Sequence, residues 1–218
     1  MSILLSTAYL PPVQWFAKLL NGGACLIEQW ESYQKQTYRN RCLIDSPDGV
    51  LSLSLPVEKP ADGSRLVREL RISDHGNWRH RHWQAIVSSY DRSPFFEFYQ
   101  DDFRPFFETR YEFLLDFNEA LVAKCCEHID IEPQLARTTH YEQPEGTSSS
   151  DFRDLISPKQ PPGTDPTFRP IPYYQVFASR HGFLPNLSII DLLFNMGPES
   201  LIVLQRSHTP ADSTSASE

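Results

Sequence analysis

The sequence predicts an α/β fold: a mixed, mainly parallel sheet with flanking helices, opened by a Rossmann-like βαβ unit. Two observations predict it. Strand-like, helix-like and again strand-like segments succeed one another within residues 3–29, the order of a parallel crossover, which is right-handed in nearly all cases. Apolar residues then recur with period two in some later segments and at helical spacing in others. A chain of 218 residues, 40% hydrophobic and 12% aromatic, can offset the entropy of ordering one core and is too short for two domains of ordinary size. The expectation is one domain over residues 1–206 with a tail at 207–218.

Residues 3–7 form a short apolar strand. Pro12 follows, where the first helical turn tolerates a missing amide hydrogen. Val13, Phe16, Ala17 and Leu20 recur at helical spacing until Gly22-Gly23 stops the helix, and residues 24–29 resume as a strand. Residues 41–44 and 51–57 flank Ser46-Pro47-Asp48-Gly49, a turn signal, and read as a hairpin. Leu51, Leu53 and Leu55 alternate with Ser52 and Ser54, which gives that hairpin one buried face. Residues 67–72 are expected as a strand ending at Ser73-Asp74, a helix cap. A helix over 77–90 comes next, then one or two more over 102–126, broken near Pro105. Residues 135–141 return as a strand, 172–177 are strand-like, 188–196 are helical and 201–205 form a final strand. Between Gln143 and Pro170, six prolines and a run of three serines leave few aliphatic residues. That segment is expected as a long loop, either mobile or a lid, and residues 207–218 as a disordered tail.

The net charge of −8 argues against a nucleic-acid or anionic-membrane binder, because both surfaces demand a basic face. Charge is nevertheless uneven. Lys35, Arg39 and Arg41 fall in a stretch without carboxylates, whereas residues 97–119 are mostly acidic. A local basic cluster on an acidic chain suits one small anionic ligand. Cys25, Cys42, Cys125 and Cys126 form no CxxC pair and read as buried reduced thiols, Cys42 included despite its neighbour Arg41. The first fifteen residues lack a basic stretch, Pro11 and Pro12 interrupt their apolar run, and no segment reaches about 18 uninterrupted apolar residues. A cytoplasmic chain without membrane insertion is the expectation.

Three constellations could carry chemistry. Tyr33 to Arg41 is a basic, amide-rich loop just after the second strand, where open α/β sheets bind ligands. Gln34, Lys35, Arg39, Asn40 and Arg41 are its candidate ligand-binding residues, the guanidinium forks matching phosphate or carboxylate. A solvated turn whose arginines pair with carboxylates is an equally weighted alternative. The Asn77 to Trp83 stretch places Trp78 with His82, and Arg79 with Trp83, four apart on a helix. Trp78, Arg79 and Trp83 are candidates for holding an anion beside a ring, and His82 is the candidate proton carrier. A hydrogen-bonded core histidine is the plainer reading of His82. His80 and His82, two apart on a helix, diverge, and no metal site is expected. Tyr9 heads the start of the first helix, where an anion would find amide donors were it not for two prolines. No GxSxG, HExxH or GxGxxG sequence occurs, so the chemistry has no motif to name it and the cofactor stays unknown.

The runs SxxYLPPVxxFAKL, YQKQTYRNRCLI, LSLPVEK, NWRHRHWQAI, SPFFEFY and FLPNLSIIDLLFNMGPE, in that order over residues 3–130 and 172–200, resemble the WbqC-like family. The resemblance implies a bacterial protein tied to O-antigen and other surface-polysaccharide assembly. The activity it implies is a transferase or accessory role, with glycine or another acyl group passed to an amino sugar. It matches this chain at Tyr9, Pro11, Gln34, Arg39, Asn40, Arg41, Trp78, Arg79, His82, Trp83, Pro94, Pro185, Ser188 and Asp191. The ligands it implies are phosphate, a nucleotide sugar or an activated acyl donor. Longer relatives carry a glycine-containing segment where this chain has its Pro/Ser loop. Two other readings stand beside it: a non-catalytic anion- or nucleotide-binding scaffold, and, by analogy with the opening βαβ unit, a nucleotidyl-transferring α/β protein.

Overall fold

The computed structural model describes residues 2–58, 63–143 and 150–209, and its centre is the expected parallel α/β unit. β1 (Ser2–Ser6) leads through α1 (Val13–Asn21) to β2 (Ala24–Glu28), with Leu4 beside Leu26 in parallel register. The predicted hairpin is β3 (Arg41–Ile44) against β4 (Leu51–Ser54). β5 (Val57–Glu58) and β6 (Arg71–Ile72) make a second antiparallel pair. Three helices follow: α2 (Trp78–Tyr90), α3 (Phe96–Glu108) and α4 (Leu114–Ile129). β7 (Leu135–Arg137) and β8 (Ser150–Asp151) then complete a four-stranded, all-parallel sheet in the order β7-β2-β1-β8. Last come α5 (Ala178–His181), α6 (Ile189–Met196) and α7 (Ser200–Arg206).

α1 is buried on every side from Val13 to Leu19, because it lies between β1 and the last two helices. That burial includes Lys18, 2% exposed, whose Nζ lies 2.7 Å from Asp165 and also bonds Thr167. Desolvation lowers the Lys18 pKa while Asp165 pulls it back up. Asp165 belongs to the proline-rich segment, so a polar pair fastens that segment to the core where apolar side chains are scarce.

Several expectations are corrected. Residues 67–72 are mostly not a strand. Val67–Glu69 is a 3₁₀ turn, and Val67 and Leu70, three apart and both fully buried, fit that period. Ser73-Asp74 does not cap α2. A 3₁₀ turn intervenes, Asn77 takes φ 48°, and no side chain caps the helix. Ser73 instead gives its carbonyl to Trp78 Nε1 at 2.9 Å. Pro105 stays inside α3, since the carbonyl it orphans belongs to exposed Asp101, and the break falls between α3 and α4. Residues 172–177 form no strand, because no described segment pairs with their main chain, and Tyr173 and Gln175 bond a buried carboxylate through their side chains. Asp191 accepts Tyr90 Oη at 2.7 Å, Tyr173 Oη at 2.6 Å and Gln175 Nε2 at 2.9 Å. Burial still raises its pKa to about 6, against those three hydrogen bonds. Residues 201–205 are helical: Ser200, Val203 and Leu204 are buried at helical spacing, and the helix packs on α1. Of the expected long loop, 144–149 lie outside the described residues, while Ser150–Asp151 join the sheet and Asp165 is buried. Of the expected tail, 210–218 lie outside the described residues. No described helix is long and apolar enough to cross a membrane.

Removing one partner of a buried ion pair strands the other charge. Asp165→Asn is therefore expected to cost about 3 kcal/mol in urea unfolding. The double variant Lys18→Met with Asp165→Leu should recover most of that loss, and a double variant as unstable as the summed singles would contradict this account of the pair.

Candidate site at the carboxyl edge of the sheet

β1 sits between β2 and β8, and the chain leaves its carboxyl end toward one neighbour while the other arrives from a distant segment. Crevices outside such carboxyl ends are where open α/β sheets hold ligands. Here the crevice is built from buried charges. Glu28, the last residue of β2, is fully buried. Its carboxylate accepts the Trp30 amide at 2.7 Å, Thr138 Oγ1 at 2.9 Å, the Glu142 amide at 2.8 Å and Arg153 Nη1 at 3.3 Å. Arg153 in turn clasps Asp151 of β8 with Nε and Nη2. Three residues beyond Glu28, Glu31 accepts Arg39 through Nε at 2.8 Å and through Nη2, and Ser6 Oγ at 3.1 Å. Burial raises the Glu31 pKa, outweighing the pull of Arg39 and Ser6.

This framework opens on a cleft of about 370 Å³ lined by Trp30, Glu31, Gln34, Tyr141, Arg153 and Asp154, among others. Tyr141 is exposed and lies over Arg153, its ring centroid 5.2 Å from the guanidinium. Arg68 stacks on Trp30 at 4.0 Å. Chemically the cleft offers two aromatic side chains, an exposed amide, one buried and one exposed carboxylate and a buried guanidinium, a set suited to a polar ring compound.

The structure does not gather the sequence candidates into one cavity. Gln34 lines the sheet-edge cleft, and Arg39 lies behind it, 3% exposed and paired with Glu31. Lys35 is exposed and gives its main-chain carbonyl to Lys159. Asn40 points inward to the Leu55 carbonyl at 2.7 Å, and Arg41 lies on the hairpin, bonded to Ser54 Oγ. Tyr9, Trp78 and His82 meet inside the core beside Phe117. Tyr9 Oη lies 3.0 Å from His82 Nδ1, and the Ser54 main chain also bonds the imidazole. Burial lowers the His82 pKa to about 4, with Arg81 adding to the effect. Arg79 and Trp83 line a different cleft, between α2 and α3. Burial raises the pKa of every thiol, to about 12 for Cys25 and Cys126, so none is an activated nucleophile. Sequence reasoning passed over Glu28, Glu31, Tyr141 and Arg153. The available signal was Glu28 itself, a carboxylate closing an apolar strand.

A model of the WbqC-like protein family matches residues 7–158. The uncharacterised protein Rv1507c of Mycobacterium tuberculosis (strain ATCC 25618 / H37Rv) is 25% identical over 221 residues, covering 90% of this chain and 94% of that protein. No solved structure matches the chain.

The depressed His82 pKa has a definite sign. A neutral buried imidazole contributes stability that is complete above its unfolded value near 6.5 and is lost as pH falls toward about 4. The loss should approach about 3 kcal/mol. Chemical denaturation between pH 7 and pH 4 should show this slope reduced in His82→Gln, and an unchanged slope would refute the assignment.

Proposed function

Because the chain belongs to the WbqC-like protein family, we propose that it is a transferase or accessory enzyme of bacterial surface-polysaccharide (O-antigen) assembly, acting on a sugar held at the carboxyl edge of its parallel sheet. The reaction that suits the cleft is transfer of glycine or another acyl group to an amino sugar. The observation that carries this reading is the joining of Glu31 and Arg153 to Trp30 and Tyr141 in one cleft. Tyr141 and Trp30 would pack on the sugar ring, as flat aromatic faces do on apolar C–H surfaces. Arg68, without an ion pair among the described residues, would meet the phosphate of a nucleotide sugar or activated donor.

The transfer then balances as follows. The sugar amine attacks the acyl carbonyl carbon, and the bond from that carbon to the donor's leaving group breaks with its electron pair going to that group. The proton of the new ammonium passes to Glu31, whose pKa burial raises. A second reading, a non-catalytic binding scaffold for an anion or nucleotide, is favoured by one observation: both oxygens of Glu31 are already engaged, by Arg39 and Ser6.

Calorimetry on the full chain with nucleotide sugars, with and without a free amine, and with activated acyl donors tests both. Binding is expected, weakened by about fivefold or more in Tyr141→Ala, which removes an exposed ring and should leave the melting temperature unchanged. Glu31→Gln strands buried Arg39 and should lower the melting temperature, and at temperatures where it stays folded it should abolish turnover while binding persists. Binding with no turnover in the parent chain selects the scaffold, and no heat from any member of the panel defeats both readings.

A further inference from the structure

The helix motif around Arg79 and Trp83 lies apart from the sheet-edge site and has its own cleft. About 630 Å³ in volume, it runs between α2 and α3, with Arg79, His80, Trp83 and Gln84 on one wall, Arg104, its ion-pair partner Glu108 and Phe107 on the other, and Asp74 at the Arg79 end. Arg79 and Trp83 are four apart, as are His80 and Gln84, so one stripe of α2 supplies the first wall.

Two side chains there differ from counterparts elsewhere in the molecule. Arg39, Arg137 and Arg153 each present the Nε and Nη2 edge of the guanidinium to a carboxylate. Arg79 is anchored through Nη1 to Asp74 at 2.7 Å, while its Nε and Nη2 are buried with no hydrogen-bond partner. Leaving such donors unmatched costs free energy that an acceptor would return. The chain has four tryptophans, and three of their indole N–H groups donate to main-chain carbonyls: Trp15 to Ser6, Trp30 to Thr138 and Trp78 to Ser73. Trp83 has no such partner among the described residues, and its ring is propped between Phe96 and Phe107. An unmatched guanidinium edge and an unmatched indole donor thus share a stripe of one helix. The uncapped N-terminus of α2, the positive end of its dipole, opens on the same cleft.

We propose that the α2–α3 cleft is a second ligand site, for an oxyanion, carboxylate or phosphate, carried on a ring. The oxyanion takes the Nε and Nη2 edge of Arg79, a match that guanidinium geometry favours. The Asp74 anchor keeps Arg79 on this wall, and Arg110, paired with Asp74 at 2.7 Å, steadies the anchor. The ring of the ligand lies on Trp83 and Phe107. Arg79 is 19% exposed and its guanidinium lies over Trp78, 4.7 Å from the ring centroid, so offering the covered edge to the cleft requires a change of rotamer about the Nη1 tether.

Indole ¹⁵N–¹H spectra of the full chain, titrated separately with inorganic phosphate, glucose 1-phosphate and benzoate, test the proposal, with the Trp83 resonance assigned from Trp83→Phe. The Trp83 signal should shift saturably with at least one of the two ring-bearing probes. Saturation by benzoate assigns a carboxylate, saturation by the sugar phosphate assigns a phosphate, and either supports the site. Arg79→Lys keeps the charge and loses the bidentate edge, and should weaken the dissociation constant by about tenfold. Arg104→Gln, exposed on the far wall, gives a second variant that leaves the core alone and should weaken binding by about threefold. No saturable Trp83 shift with any probe overturns the proposal, as does binding by both variants within twofold of the parent chain.

Discussion

The carboxylate of Glu28 is the constraint on which the carboxyl edge of the sheet depends. It is fully buried at the end of a central strand and accepts four donors from chain segments up to 125 residues away. A carboxylate taken out of water persists only when its lone pairs are filled. Trp30, Thr138, Glu142 and Arg153 must therefore stay where they are, and the segments that carry them are placed together. The sheet-edge cleft follows from that placement, because Tyr141 and Asp154 are immediate chain neighbours of two of those partners. Arg153 passes the constraint on to Asp151 and so to β8, a two-residue strand with little apolar surface of its own.

Elsewhere, too, polar groups fasten segments that lack enough apolar residues to dock by themselves. Lys18 and Asp165 hold the proline-rich stretch to α1, and Asp191 holds residues 173–175 through two hydroxyls and an amide. Tyr9 and His82 join the end of the first connection to α2 inside the aromatic core. In each case the burial that makes the contact strong also shifts a pKa: Lys18 and His82 fall, Asp191 and Glu31 rise. Stability and protonation are coupled through the same few residues.

The opening βαβ unit was legible because its pattern is local: apolar strand, proline at the helix start, Gly-Gly stop, apolar strand. The hairpin was legible for the same reason, its turn residues lying between two apolar runs, although of the alternating leucines only Leu53 and Leu55 are buried and Leu51 is exposed. Residues 201–205 misled because a run of five mostly aliphatic residues suits either a strand or a buried helix turn, and only the packing of Val203 and Leu204 on α1 decides. Residues 67–72 misled because so short a run is read as a strand from its β-branched ends, Val67 and Ile72, although the spacing of Val67 and Leu70 fits a 3₁₀ turn. The candidate site was half legible. Gln34 and Arg39 were named on the basic loop, and the pairing of Arg39 with a carboxylate was anticipated as its alternative. Arg153 and Tyr141 were not found, since their roles exist only once a bond across more than a hundred residues brings them to Glu28. Arg79 and Trp83 share a helix face, as their spacing implied, yet that face turns toward α3 and away from the basic loop.

A double-mutant cycle on Glu28→Gln and Arg153→Met, followed by urea unfolding, tests most directly whether this buried pair holds the edge together. Coupling of about 1 kcal/mol or more is expected, since each single change removes the one charge-assisted hydrogen bond between the two side chains at a fully buried carboxylate. Single effects that add to within about 0.5 kcal/mol would mean that the two side chains act independently, and would contradict the account.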